Sequence, residues 1–306
     1  MAFDRKTLVI PEKTKFDEKT IYTKGDVVIG DRCLLRFGLK TDGRIFVGEH
    51  AIIDGGLEAT KDIRVDNFSK IGGDVNSEGN VYFGEKCKIE GRLSLEGDLD
   101  VGDSVEIDEG FEANGWINIR SPIPITIYIF IYLLQLLKMG HSEEIDRILE
   151  EIEENNGETI PISEKFLYIP NNTIVGVQKS KIDYNLSIGK NSTLQGNYEV
   201  KGNLIIGDNS EINGSLKATN KIICGKKTKI KGNIDGKKLV EIGEKSKIQG
   251  GISAQKIYLS KDATVKGTLY GKEGVSFIDP KNIDEDKIIR FEKEAEIVDE
   301  VESILE

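Results

Sequence analysis

The 306-residue sequence is poor in the side chains that most catalytic and metal chemistry requires: it has two histidines, three cysteines, two methionines, one tryptophan and six prolines. His50 and His141 cannot supply the three ligands of a catalytic zinc site. Cys33, Cys87 and Cys224 form no CxxC pair, and an odd count fits free thiols in a reducing compartment. No GxSxG, phosphate-binding glycine loop or HExxH occurs, so no cofactor, metal or small-molecule substrate is expected. The opening stretch MAFDRKTLVIPEK lacks an apolar segment of signal-peptide length, which predicts a cytoplasmic protein. The net charge of −11 argues against a surface built throughout for nucleic acid.

Long apolar runs are equally scarce. The only one is PITIYIFIYLLQLLKMG, from Pro124 to Gly140. Its apolar part, 125–137, would reach roughly 20 Å as a helix, against the roughly 30 Å of a bilayer core. A simple membrane span is therefore not expected. Three readings stay open: a core element closing the first half of the chain or joining the two halves, insertion into a membrane surface by 125–137, or a subunit interface. The interface would use Ile127, Tyr128, Ile129, Phe130, Ile131, Tyr132, Leu133, Leu134, Leu136 and Leu137.

What the sequence does have is a repeat. GDVVIG at Gly25, GRIFVG at Gly43, KDIRVD at Lys61, GNVYFG at Gly79, GDLDVG at Gly97 and GWINIR at Gly115 follow one another every eighteen residues. The register returns in GNLIIG at Gly202, NKIICG at Asn220 and KLVEIG at Lys238, after which QKIYLS at Gln255 comes one residue early. Within each period apolar and polar residues alternate, as short strands do. Strands so short bury their apolar side only by stacking coil on coil, which predicts parallel β-helices. Glycines recur in columns, among them Gly30, Gly48, Gly84, Gly207, Gly225 and Gly243; these are read as structural residues supplying the positive φ of a tight corner.

Shifting the chain by 159 residues lays LVIP, ending at Pro11, on LYIP, ending at Pro170, and Gly30, Gly48, Gly84 and Gly115 on Gly189, Gly207, Gly243 and Gly274. This predicts a duplicated unit, with a first β-helix in 1–122, an apolar and helical connector in 123–160, a second β-helix in 161–280 and a C-terminal amphipathic helix in 281–306. Ile145, Ile148, Leu149 and Ile152, and Ile297, Val298, Val301, Ile304 and Leu305, have the spacing of helices with one buried face. The fold class is all-β dominated: two tandem parallel β-helices with helical additions. Charge is divided between them, with 11 Lys and Arg against 20 Asp and Glu over 25–120, and 16 Lys against 8 acids over 184–278.

Two families share such patterns. The hexapeptide spacing of Leu35, Val47, Ile53, Val65, Ile71, Phe83, Ile89, Leu95, Val101 and Ile107 resembles the β-helix of hexapeptide acyltransferases, which use a histidine as general base; His50, in VGEHAI, is the candidate here. The stretch LIIGDNSEINGSLKATNKIICGKKTKIKGNI, from Leu204 to Ile234, resembles the bactofilins, polymer-forming cytoskeletal proteins. The likeness lies in Leu204, Ile206 and Gly207, then Ile212, Gly214 and Leu216, then Ala218. That resemblance implies a right-handed β-helix and subunits stacked end to end, often beneath a membrane, without nucleotide. The expectation is a non-enzymatic scaffold that self-associates, through β-helix ends or the apolar connector, into oligomers or filaments, with neither nucleic acid nor a substrate as partner.

Overall fold

Each eighteen-residue period folds as one coil of three short strands, because inward residues alternate with outward ones and each corner redirects the chain by about a third of a turn. The computed structural model describes residues 5–120 and 162–278, which form 38 strands numbered here in chain order. In the first full coil, β4 (Val27–Ile29), β5 (Leu34–Leu35) and β6 (Gly38–Thr41) lie on three successive faces, and β7 (Ile45–Val47) returns to pair with β4 in parallel. Val27, Ile29, Leu35, Leu39 and Ile45 all point into one continuous core. Burying such side chains contributes about 1.5–3 kcal/mol each, coil after coil.

The strands make three sheets of 14, 12 and 12. At about 4.8 Å per strand the longest spans roughly 60 Å. The described residues contain no helix. The helical connector expected in 123–160 and the amphipathic helix expected in 281–306 fall outside the described residues.

The two arrays follow one another in sequence but are inverted in space. In the longest sheet the order runs from β19 (Ile117–Ile119) inward to β4, then to β20 (Leu167–Ile169), β1 (Thr7–Ile10) and β23 (Asn185–Ile188), and outward to β38 (Val275–Ile278). The N-terminal ends of both arrays therefore meet in the middle of one rod, and their C-terminal ends face outward. Both arrays keep their eighteen-residue register except once. The early return of QKIYLS falls at the corner between β34 (Ile252–Ala254) and β35 (Lys256–Ser260), where Gln255 alone makes the turn.

Candidate assembly surfaces

At the central joint each array lends its first strands to the other. β20 pairs in parallel with β4 of the first array, while β1 pairs in parallel with β23 of the second. The lent strands then meet each other antiparallel, Val9 opposite Tyr168. On the second face β2 (Lys15–Phe16), stacked on β24 (Thr193–Gln195), runs antiparallel to β3 (Thr20–Thr23). On the third, β21 (Ile174–Val175), stacked on β5, runs antiparallel to β22 (Lys179–Ile182). Residues 159 apart occupy equivalent places: Cys33 Sγ donates to Pro170 O at 3.1 Å, and Ser192 Oγ donates to Pro11 O at 3.1 Å. Phe16 packs edge-on against Phe37 across the joint, with ring centroids 5.4 Å apart.

Asp26 fastens this exchange. Its carboxylate accepts hydrogen bonds from the Arg44 side chain and backbone N–H and from the Ser163 N–H, and its own N–H donates to Ser163 Oγ at 2.8 Å. Burial opposes its ionisation, but the Arg44 and Ser163 donors outweigh burial and hold the carboxyl below its usual range. Lys165 pairs with Glu12 on the outside of the same joint at 2.5 Å, and that hydrogen bond lowers the Glu12 carboxyl in turn.

The corners revise the part assigned to the glycines. Gly30, Gly48, Gly84, Gly207, Gly225 and Gly243 do not have positive φ. The left-handed residue lies two positions further on: Arg32, His50, Phe68, Lys86 and Ser104 in the first array, Asn191, Asn209, Lys227 and Lys245 in the second, all with φ between 53° and 59°. At these glycines the neighbouring coil passes so close that a side chain would force a shift, although Asp66 holds the equivalent place between Gly48 and Gly84. A Cβ on Gly48 would lie 2.9 Å from Asp31 N, and one on Gly207 would lie 2.7 Å from Lys190 N.

His50 belongs to the left-handed column. It is exposed, and its ring stacks on Phe68 of the next coil at 4.9 Å, with Lys86 Nζ 5.3 Å from the Phe68 ring centre on the coil after that. Among the described residues no hydrogen-bonded orienting group accompanies it, so the arrangement is a stacked corner without the base-and-orienter geometry of general-base catalysis. Beside it runs an inward column of small residues, Cys33, Ala51, Ser69 and Cys87, then Ser192, Ser210, Thr228 and Ser246, all buried. Cys87 donates to Asp66 O at 3.1 Å and Ser210 to Gly189 O at 3.0 Å, each reaching one coil back. Burial pushes the Cys33 thiol up to about 11 and Cys224, in the core, to about 12.

Outward side chains form ladders along the rod. Asp62, Asn80 and Asp98 each accept the backbone N–H of the residue eighteen further on, at 2.8 Å, ending at Trp116. Ion pairs also link neighbouring coils, three at the same spacing, Arg36 with Asp54 at 2.6 Å, Lys88 with Glu106 at 3.3 Å and Lys201 with Asp183 at 2.9 Å, and one at twenty residues, Arg92 with Glu112 at 2.9 Å. Such pairs tie the outward charges of one coil to those of the coil above or below.

Among the described residues, the ladders stop at both outer ends and no further coil covers the core. One end consists of β17 (Glu106–Ile107), β18 (Phe111–Ala113) and β19, and the other of β36 (Thr264–Val265), β37 (Leu269–Gly271) and β38. Among the described residues no strand pairs with their outer edges. Ile117 and Phe277 stand in register with buried Leu99 and Leu259 of the preceding coils, yet are 48% and 63% exposed. Trp116 is 85% exposed.

Other candidate sites are sparse. A shallow groove of about 350 Å³ is lined by Lys179, Tyr198, Glu199 and Lys217 among others; its Glu199 carboxyl is lowered by the hydrogen bond from Lys179, which makes it an ion pair of the ladder. The described residues hold no cluster of three or more potential metal ligands and no helix long and apolar enough to cross a membrane. Ile127 to Leu137, the sequence-predicted interface, lies outside the described residues. The β-helix ends, expected from the sequence as association surfaces, fall on the last described coil of each array.

Comparison with known families places the second array. Residues 171–270 match the family model described as bactofilin, polymer-forming cytoskeletal. No curated protein and no solved structure matches the chain. The matched segment runs from just before β21 into β37, so the match to that family model falls on the coils of the second array.

Proposed function

We propose that this protein is a non-enzymatic scaffold of bactofilin type that self-associates through the open ends of its β-solenoid into filaments or short closed oligomers. The observation that carries this reading is the state of the two ends: unpaired strand edges around an exposed apolar core, the structure that ordinarily recruits further strands. The match of 171–270 to a polymer-forming family supports it. His50, stacked at an exposed corner, offers no support for the acyltransferase alternative.

Sedimentation and negative-stain microscopy of the full chain test the proposal. The expected result is elongated particles whose length grows with protein concentration in steps of one rod. Trp116, the sole tryptophan, reports on the end itself: its emission should move to shorter wavelength on assembly. A particle of one fixed mass across concentration and salt would refute polymerisation.

A further inference from the structure

Resting on the end-to-end reading above, we infer that the joint between copies is made by unlike ends, the acidic end of one rod against the lysine-bearing end of the next, so that the assembly has a direction. The partner is a second copy of this chain, and the charges select which of its ends is accepted.

The central joint supplies the geometry. There, two like ends of the arrays meet, and the strands pair by type: first-face strand with first-face strand, β1 with β20, and on each remaining face a strand of one array with the strand that the same array lends to the other, β3 with β2 and β22 with β21. On those two faces the arrays run in opposite senses. The second strand of a coil in the first array lies in the same sheet as the third strand of a coil in the second array, as β5 shares a sheet with β25 (Asn197–Val200). A joint of outer ends that continues the three sheets therefore sets β19 against β38, β17 against β37, and β18 against β36.

This juxtaposition is favourable only between unlike ends. The outermost coil of the first array, 103–120, carries Asp103, Glu106, Asp108, Glu109 and Glu112 against Arg120. The outermost coil of the second array, 261–278, carries Lys261, Lys266 and Lys272 against Asp262 and Glu273; Glu273 is paired with Lys256, and Lys266 and Lys272 form no ion pair among the described residues. Pairing β17 with β37 brings Glu106 and Asp108 to the face of Lys272, and pairing β18 with β36 brings Glu112 to the face of Lys266. The new coil-to-coil contacts then repeat the ladder already seen between Lys88 and Glu106 or Arg92 and Glu112. A joint of two acidic ends would instead pair β17 with β18 and face Glu106 and Asp108 with Glu112; a joint of two lysine ends would face Lys266 with Lys272. Like charges on neighbouring strands repel and are destabilising.

The apolar surfaces at the two ends also match. Ile117, Ile119 and Phe111 on one end meet Val275, Phe277 and Leu269 on the other, closing a core that each rod leaves open. The salt dependence follows from the same charges: above roughly 0.5 M salt the screening length falls below about 5 Å and selection between ends weakens.

Charge exchange in the full chain provides the test. The variant K266E/K272E should keep the wild-type circular dichroism and lose at least tenfold of its sedimentable fraction at low salt. Adding D108K/E112K to the same chain should restore sedimentation and the Trp116 emission shift. K266Q/K272Q, a milder pair should the reversal disturb folding, should give an intermediate loss. Unchanged assembly of K266E/K272E would overturn the inference while leaving self-association standing, because joints between like ends do not depend on the sign carried at either end. Loss that D108K/E112K fails to rescue would overturn it equally. A Trp116 emission already shifted in the dispersed wild-type chain would mean that the chain's own following segment covers this end, and would overturn it too. Failure of the wild type to assemble in any salt would sink the end-to-end proposal itself.

Discussion

Replacing Gly207 by Ala and Asn209 by Val separates the two reasons a corner can have for its sequence. At Gly207 the new Cβ would sit 2.7 Å from Lys190 N, 2.8 Å from Gly189 C and 3.1 Å from Gly189 O. Ordinary contact begins near 3.5 Å, so the coils must part by about 0.7 Å at this corner. That opening stretches the bond from Gly207 N to Ile188 O at 2.8 Å and the bond from Asn191 N to Asp208 O at 2.9 Å. Overpacking of this kind costs about 1–3 kcal/mol. At Asn209, φ is 55°, which asparagine tolerates and a β-branched residue does not, so valine should cost about 1–3 kcal/mol, while Asn209→Gly should be near neutral. Because a solenoid can open locally without global unfolding, the assay is hydrogen exchange on peptides spanning 186–210. A cost of about 2 kcal/mol accelerates exchange roughly thirtyfold in the affected coils. If Asn209→Val exchanged like the wild type, or Gly207→Ala did, the division between close approach at the glycine and left-handed φ two residues later would be wrong.

Three further outcomes follow from the joint and the corners. Asp26→Asn should destabilise the chain by about 2–3 kcal/mol at neutral pH in urea unfolding, since it leaves Arg44 without its carboxylate. The sign with pH is fixed by a folded carboxyl held below its ordinary value: the Asp26 contribution is fully present above about pH 4 and is lost as pH falls through the folded value, so wild type and Asp26→Asn should converge in acid. Cys33 and Cys224, buried and with raised thiol values, should resist alkylation at pH 8 until the chain is unfolded; fast labelling of the folded chain would contradict their placement. Ser246→Ala should cost about 1 kcal/mol by removing the donor to Gly225 O, whereas Ser246→Cys should cost less, because the equivalent column already accepts Cys33 and Cys87.

The repeat, its period and its inward residues were legible in the sequence because each coil solves the same burial problem with the same alternation. Leu204, Ile206, Ile212 and Leu216 are all buried for that reason, and Cys224 takes the place of Ile206 and Ile242 in neighbouring coils. The left-handed column was not legible. Its occupants are Arg32, His50, Phe68, Lys86 and Ser104 in one array, residue types with no common preference for positive φ, and only Asn172, Asn191 and Asn209 carry a recognisable signal. The glycine beside it drew the assignment instead, since a glycine required by a neighbour's backbone and one required by φ look identical in a sequence. The β-helix ends were expected as association surfaces, but the residues they expose were not legible: Ile117 and Phe277 obey the same pattern as buried residues, and only the absence of a next coil among the described residues exposes them.

Inversion of the second array changes what the division of charge means. In two coaxial arrays stacked head to tail, an acidic and a basic unit would meet inside the chain, and their charges would be spent on each other. The parallel stacking of coils inside each array is satisfied either way. What decides is the start of each array: Thr7–Ile10 and Leu167–Ile169 each find a parallel partner on the other array and an antiparallel partner in one another, which only a meeting of N-terminal ends allows. The contacts at the join are then carried by short, largely apolar strands and by Asp26, Arg44 and Ser163, with Glu12 and Lys165 outside. The surplus of nine acids over 25–120 and of eight lysines over 184–278 is left to the two outer portions of the rod. Two ends that are geometrically alike are thereby made electrostatically unlike, which is the condition for copies of one chain to add in a single direction.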